Sequence, residues 1–222
     1  MIENRSFEDP QQLYGWSEVN GGEGTFTVET ESPLNANNPH FLRIRADGSS
    51  YEFGVANDAF GGINLREGER YFFSVYARRR AGSENQSLKV YLAGEHGVLA
   101  RAELKGLESS WKKFEATLTS SGTTTKGEFS LLVTQEGVVD VDMVSLFPEK
   151  TFKSRRNGLR ADLAQALADA KPGFLRFPGG CIVEGRRLVN RYRWKTTIGD
   201  IAERQTIVNR WNDEFDHRPT PD

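Results

Sequence analysis

Cysteine is all but missing from these 222 residues: Cys181 stands alone, so no disulfide can form within the chain. Histidine is nearly as scarce. His40, His96 and His217 lie far apart, and no Cys/His group has the spacing of a zinc site. No apolar run approaches the roughly 20 residues of a membrane-spanning helix, and the opening Met1-Ile2-Glu3-Asn4-Arg5 lacks the apolar segment of a secretory signal. An excess of charge of either sign is absent too. Lys plus Arg number 29 against 31 Asp plus Glu, a formal net charge of −2, which leaves no global field to recruit polyanions or an anionic membrane. Neither nucleic acid nor a membrane is an expected partner, and the basic stretches 150–160 and 186–195 read as solvated faces or as contacts to further chain.

What is present up to about residue 148 is a succession of about eight short runs of alternating polarity, the period that buries every second side chain of a strand. Phe26 and Val28, Leu42 and Ile44, then Tyr71, Phe73, Val75 and Ala77 each mark one face, and Leu88, Val90 and Leu92 continue the pattern. Turns fall at Asn20-Gly21-Gly22, Asp47-Gly48, Gly61-Gly62 and Glu67-Gly68. Trp111, Phe114, Ala116 and Leu118 suit one later strand, and Phe129, Leu131 and Val133 another. In the last run the apolar phase shifts from Val139 and Val141 to Val144 and Leu146, which predicts a bulge near Asp142 and Met143. A mainly β domain over residues 1–148 follows, a two-sheet sandwich of jelly-roll type.

After Phe147-Pro148 the texture changes. Asn157 is placed to cap a helix whose stripe carries Leu159, Leu163, Leu167 and Ala170. Lys171-Pro172-Gly173 ends it, and Phe174-Leu175-Arg176-Phe177 reads as a short buried strand running into Pro178-Gly179-Gly180. Helix followed by strand is α/β grammar. One helix and one strand cannot close a core, so residues 149–222 are expected to be an incomplete barrel, the truncated N-terminal part of a larger domain.

The run Leu175-Arg176-Phe177-Pro178-Gly179-Gly180-Cys181, with Tyr192-Arg193-Trp194-Lys195 and Ile198-Gly199 after it, resembles a signature of the α-L-arabinofuranosidases of glycoside hydrolase family 51. The opening Ile2-Glu3-Asn4-Arg5-Ser6-Phe7-Glu8 looks like the end of that family's first barrel strand. Longer members carry a carbohydrate-binding-like sandwich between those two places. The resemblance implies a secreted or periplasmic parent hydrolase with a TIM barrel, removing arabinofuranosyl groups from arabinan or arabinoxylan by a retaining double displacement between two carboxyls. No segment here matches the two catalytic glutamates, so the chain alone is expected to be inactive.

Residues of a sugar subsite are implied instead, since barrel enzymes bind substrate at the C-terminal ends of their strands. By resemblance Cys181 contacts the arabinofuranose ring beside Gly180; a small buried thiol at a glycine turn is the structural alternative. Arg176 either supports the glutamates or ties strands together, and Trp194 is either a sugar platform or core. In the first domain, Gly15-Trp16 and Asp142-Met143-Val144-Ser145-Leu146 look like carbohydrate-binding modules of families 4 and 9, with a galactose-binding-like jelly roll. Candidate stacking rings are Trp16, Tyr51, Phe60 and Tyr76, with Arg78, Asn57 and Gln86 at their edges; each ring could equally be core. No cofactor is expected beyond a structural calcium, which related modules imply at Glu8 and Asp142, with an ordinary ion pair as the alternative.

Overall fold

The computed structural model describes residues 2–19, 23–48, 52–176, 179–185, 187–205 and 207. Among these residues eleven strands come in chain order: β1 (Ser17–Glu18), β2 (Gly24–Glu29), β3 (Phe41–Ala46), β4 (Phe53–Asn57), β5 (Ile63–Leu65), β6 (Arg70–Arg79), β7 (Leu88–Gly94), β8 (Gly97–Leu104), β9 (Lys112–Thr119), β10 (Thr124–Val133) and β11 (Gly137–Pro148). They form two antiparallel sheets, one in the order β1-β4-β10-β7-β8 with β5 also on β10, the other β2-β3-β11-β6-β9. The chain is thus mainly β, a sandwich. Alternation found fewer strands for two reasons. β1 and β5 are only two and three residues long, and β4 is buried along its whole length, so none of the three carries a clear period of two.

The inward phase of each strand builds one core. Phe53, Phe73 and Phe129 are fully buried, and Phe73 stacks on Phe129 with ring centroids 5.5 Å apart. The N-terminal segment joins this core through Phe7 and Trp16, whose rings lie 5.3 Å apart, while Trp16 also meets Phe129 edge-on at 6.3 Å. The bulge in β11 is where the alternation slips: the register against β6 shifts between Asp142 and Ser145, and Met143 takes a φ of 51°. That residue absorbs the extra position, so Val144 and Leu146 return to the core.

Beyond β11 the structure departs from the sequence reading. The helix α1 spans Ala161–Asp169, with Arg160 rather than Asn157 at its cap position and no side-chain cap bond. Asn157 adopts a φ of 53° in the turn that lets Thr151 bridge Arg160. Leu159, Leu163 and Leu167 are exposed, 57–72%, and only Ala164 of the helix is buried. Residues 174–176 are not a strand, and Phe174 and Leu175 are each 84% exposed; Phe177 lies outside the described residues. A strand requires a neighbour to take its backbone hydrogen bonds, and among the described residues none lies beside this segment. A short helix α2 (Gly180–Glu184) follows, then 3₁₀ turns at Leu188–Asn190, Trp194–Thr197 and Ile201–Glu203.

This second part meets the sandwich through Arg156, whose guanidinium donates to Glu115 at 2.8 Å and lies 5.5 Å from the Phe72 ring centroid, and again through its last 3₁₀ turn. The Asn38 carboxamide donates to the carbonyls of Ala202 (3.2 Å) and Arg204 (2.5 Å), and Asn37 donates to that of Glu203 (2.7 Å). Asp200 caps the same turn by accepting from the Ala202 amide at 2.9 Å. The loop between β2 and β3 therefore holds the last 3₁₀ turn against the sandwich.

Candidate functional site

The second part presents the glycine-cysteine motif openly. Gly179 has a φ of 106°, a conformation L side chains rarely adopt, and it starts α2. Nothing within 4 Å would meet a Cβ at Gly179 or Gly180, and Cys181 is exposed, so the buried-thiol alternative does not describe it. Arg176 is exposed, and Trp194 is 60% exposed with the Lys195 ammonium 5.9 Å from its ring centroid. The Tyr192 amide donates to the Val183 carbonyl at 3.2 Å, which ties the segment running towards Trp194 to the end of α2. The motif's two halves are neighbours, while no hydrogen bond, ion pair or ring contact joins Arg176, Cys181 and Trp194 among the described residues.

In the sandwich several expected sugar contacts prove structural. Trp16 is 7% exposed and belongs to the core, its indole N–H donating to the Asn4 carbonyl at 3.1 Å, so its face is closed to a ligand. Arg78 is buried: its Nε donates to Asp140 at 2.9 Å, and its guanidinium lies 4.4 Å from the Trp111 centroid and 5.2 Å from that of Phe41. Asn57 is fully buried, anchoring Glu3 through both its N–H and its carbonyl. Gln86 donates to the Gln135 and Glu136 carbonyls and so closes a loop. Tyr76 is half-buried; desolvation first, then the charges of Asp200 and Glu203, raise its pKa, which places it beside the docked turn. Phe60 is 67% exposed and remains free to stack, and Tyr51 lies outside the described residues.

The open face of the first sheet carries a constellation that those choices missed. Val90 and Leu92 are buried in the core, so Lys89 and Tyr91 point outward from β7. The Tyr91 hydroxyl donates to Glu52 at 3.3 Å, and Lys89 pairs with the same carboxylate. Glu52 precedes β4, and β10 runs between β4 and β7, so the Tyr91 side chain reaches across β10, whose outward-facing Leu132 is accordingly buried. Burial and the Glu52 charge raise the Tyr91 pKa and keep it a neutral donor. Arg101 is its partner on β8. Beside Lys89 the face opens into a cleft of about 500 Å³ lined by Ser87, Glu103, Lys105, Thr134 and Gln135. Ser87 is fixed there by Glu103 (2.8 Å) and Thr134 (3.0 Å). The signal was legible: Leu88, Val90 and Leu92 fix the inward phase, which leaves Tyr91 as an aromatic on the wet face.

The two carboxylates expected to hold calcium differ in state. Glu8 is occupied on both oxygens, accepting from the His40 amide at 2.8 Å and meeting His40 Nδ1 at 2.6 Å. Asp142 accepts only from the Met143 amide at 2.6 Å, and its Oδ2 is buried with no hydrogen-bond partner among the described residues. Desolvation raises its pKa well above 3.8, helped by the Glu8 charge. No group of three His, Cys, Asp or Glu side chains gathers among the described residues. An orphaned carboxylate oxygen that feels a second carboxylate nevertheless has the donor chemistry a hard cation relieves, provided backbone oxygens complete the shell.

Residues 1–137 match the family profile described as carbohydrate binding domain, and residues 166–218 match that of the alpha-L-arabinofuranosidase 1 domain. An extracellular exo-alpha-L-arabinofuranosidase of Streptomyces chartreusis is 38% identical across 95% of the chain, and alpha-L-arabinofuranosidase 1 of Arabidopsis thaliana 33% across 96%. The chain spans 26% and 34% of those two proteins. A solved arabinose-bound GH51 α-L-arabinofuranosidase superposes on 94% of the chain with a TM-score of 0.85 at 29% identity, the chain covering 36% of it. Over residues 1–137 the chain therefore belongs to the carbohydrate-binding domain family, and as a whole it is a homologue of the α-L-arabinofuranosidases of glycoside hydrolase family 51.

Proposed function

We propose that this chain is the sugar-recognising opening of a secreted or periplasmic α-L-arabinofuranosidase. Its parent removes terminal arabinofuranosyl groups from plant arabinan or arabinoxylan by a retaining mechanism. The chain divides into a glycan-binding sandwich over residues 1–148 and a barrel start over 149–222. The nucleophile and acid/base carboxyls belong to barrel strands without a counterpart here, so the chain by itself does not hydrolyse arabinofuranosides. Gly179, Gly180 and Cys181 contribute a wall of the arabinose subsite: the positive φ at Gly179 starts α2 so that an exposed thiol stands on an open surface. Trp194 adds an exposed ring on the neighbouring turn, and Arg176 an exposed cation.

For the sandwich the carrying observation is the Tyr91 face. Sugars bind protein surfaces where C–H faces meet an aromatic ring and hydroxyls find planar polar partners. Tyr91 lying across β10, with Glu52, Lys89 and Arg101 around it and a polar cleft next to it, supplies both. Among the described rings of the sequence reading on this domain, Phe60 is the most open to solvent. Glu8 and Asp142 would hold a calcium that fastens the N-terminal segment to β11 and supplies charge balance, not chemistry.

The test is titration calorimetry of the chain with arabinan and arabinoxylan oligosaccharides, in calcium and in chelator. Saturable heat that falls at least about tenfold in affinity in Tyr91→Ala supports the glycan-binding face. A second reading, a module that only packs on the barrel, is favoured by the Asn37 and Asn38 contacts. Absence of heat with every oligosaccharide, in a folded chain, would establish it.

A further inference from the structure

Between the sandwich and the barrel start lies a cleft of about 590 Å³, separate from the Tyr91 face. Its volume is in the range of about 300–1,000 Å³ usual for small-molecule sites. One wall is the sandwich: Glu8, Ala36 and Asn37. The other comes from the segment after the glycine-cysteine motif: Asn190, Arg191, Arg193, Thr196 and Gln205.

Both walls are fixed before any ligand arrives. Glu8 is clamped by His40, and the Asn37 amide by the Asn35 side chain at 2.9 Å. Thr196 is held by its own bonds back to the Arg193 carbonyl at 2.8 and 2.9 Å. The two walls are locked together by the Asn37 and Asn38 bonds to the carbonyls of 202–204. Preorganised walls lower the ordering cost of binding.

The lining chemistry selects the ligand. Three carboxamides (Asn37, Asn190, Gln205), a hydroxyl and two guanidiniums are donors and acceptors for vicinal hydroxyls. Among the described residues the cleft's one carboxylate is already engaged and no aromatic ring lines it, while Ala36, Val189 and Ile207 add apolar patches for the C–H faces of a sugar. Its place is as telling as its chemistry. Asn190 and Arg191 back directly onto Gly185, where an added Cβ would meet the Asn190 carbonyl at 2.6 Å, and Tyr192 bonds Val183 of α2. The cleft wall and the Cys181 helix are therefore one piece of structure.

We infer that this interdomain cleft is a subsite for the oligosaccharide portion adjoining the arabinose held at Gly180 and Cys181, and that the sandwich supplies one of its walls. The inference rests on the arabinofuranosidase reading above. It makes the sandwich part of the substrate cleft itself, through Ala36 and Asn37, in addition to any binding on its Tyr91 face.

The experiment is an amide-resolved NMR titration of the 222-residue chain with a neutral arabinotriose and, separately, xylotriose. The variants are Arg193→Ala, which removes a ligand donor, Ala36→Trp, which fills the cleft from an exposed position, and Tyr91→Ala. Saturable shifts at Ala36, Asn37, Arg193, Thr196 and Gln205 are expected with at least one oligosaccharide. Arg193→Ala and Ala36→Trp should each weaken them about tenfold or more, while Tyr91→Ala leaves them unchanged. Shifts confined to Lys89, Tyr91 and Arg101 would overturn the interdomain subsite and leave the glycan-binding sandwich standing. No saturable shift anywhere, in variants and wild type that keep the dispersed spectrum of a fold, would overturn both.

Discussion

Two aspartates on β11, two residues apart, show how far neighbours decide what a buried charge does. Asp140 is fully buried and meets three guanidiniums: Arg43 at 2.8 Å, and Arg78 and Arg80 at 2.9 Å each. Register dictates this arrangement, because Arg43 on β3 and Arg78 on β6 are its direct cross-strand partners. Removing one partner of a buried ion pair costs about 3–5 kcal/mol, as the remaining charge stays buried without its counterpart. Asp140→Asn is expected to destabilise the sandwich by that amount in urea denaturation; a loss below about 1 kcal/mol would mean water already reaches the arginines. Asp142 is not ringed by guanidiniums in this way: burial raises its pKa well above 3.8, with the Glu8 charge adding to the shift and the Met143 amide and the Arg5 charge opposing it. Its carboxyl stays protonated in the fold where the unfolded chain has lost the proton. The unfolded state then binds fewer protons, so this group's contribution falls as pH rises from about 3.8 and levels off above the folded pKa. In chelator, Asp142→Asn should therefore raise the melting temperature at pH 7 and flatten its pH dependence. Added calcium should stabilise the wild type and not the variant. Equal melting curves with calcium and with chelator would remove the metal from Glu8 and Asp142.

At the scale of elements, α1 isolates what sequence pattern does and does not carry. The stripe of Leu159, Leu163 and Leu167 is the mark of a helix that packs, yet these side chains stand 57–72% exposed. Their burial is a property of a neighbour. Leu163→Lys is expected to change the unfolding free energy of this chain by less than about 0.5 kcal/mol, the usual size of a surface substitution. In a longer protein that covers the stripe, the same change should cost several times more, and comparing the two melts measures the covering. The same distinction explains what the sequence made legible. Alternation in β7 and β10 pins their core faces, and in β11 the slip at Asp142 and Met143 is visible as a change of phase. Trp16, Arg78 and Asn57 misled because a residue type announces chemistry but not exposure. Each of the three is consumed by tying the N-terminal segment or the arginine network to the core. Tyr91 was within reach, since its phase alone puts it on the wet face. Glu52 was not, as its approach to Tyr91 depends on strand order: β4 and β7 flank β10, although 39 residues separate the two side chains in sequence.

For the whole molecule the question is whether the sandwich and the segment after β11 act as one body, and a single side chain carries much of the answer. Asn38 is 3% exposed, and its amide group donates to the Ala202 and Arg204 carbonyls, 164 and 166 residues away. Asn37 adds one bond from a more exposed position. Buried carbonyls stripped of their donor cost about 1–3 kcal/mol, and the Arg156 contacts to Glu115 and Phe72 hold a different stretch of the segment. Asn38→Ala should therefore release the 3₁₀ turn Ile201–Glu203 without unfolding the sheets. Hydrogen exchange is expected to speed up at residues 199–205 by about tenfold or more, while amides of β6, β10 and β11 keep their protection. If the interdomain cleft takes oligosaccharide, the same variant loses affinity there, because Asn37 and Arg193 no longer face each other at a fixed distance, and binding at the Tyr91 face persists. Unchanged exchange at 199–205 would mean that contacts other than Asn38 join the two parts. Accelerated exchange across the sheets as well would make the junction part of the sandwich's own folding unit.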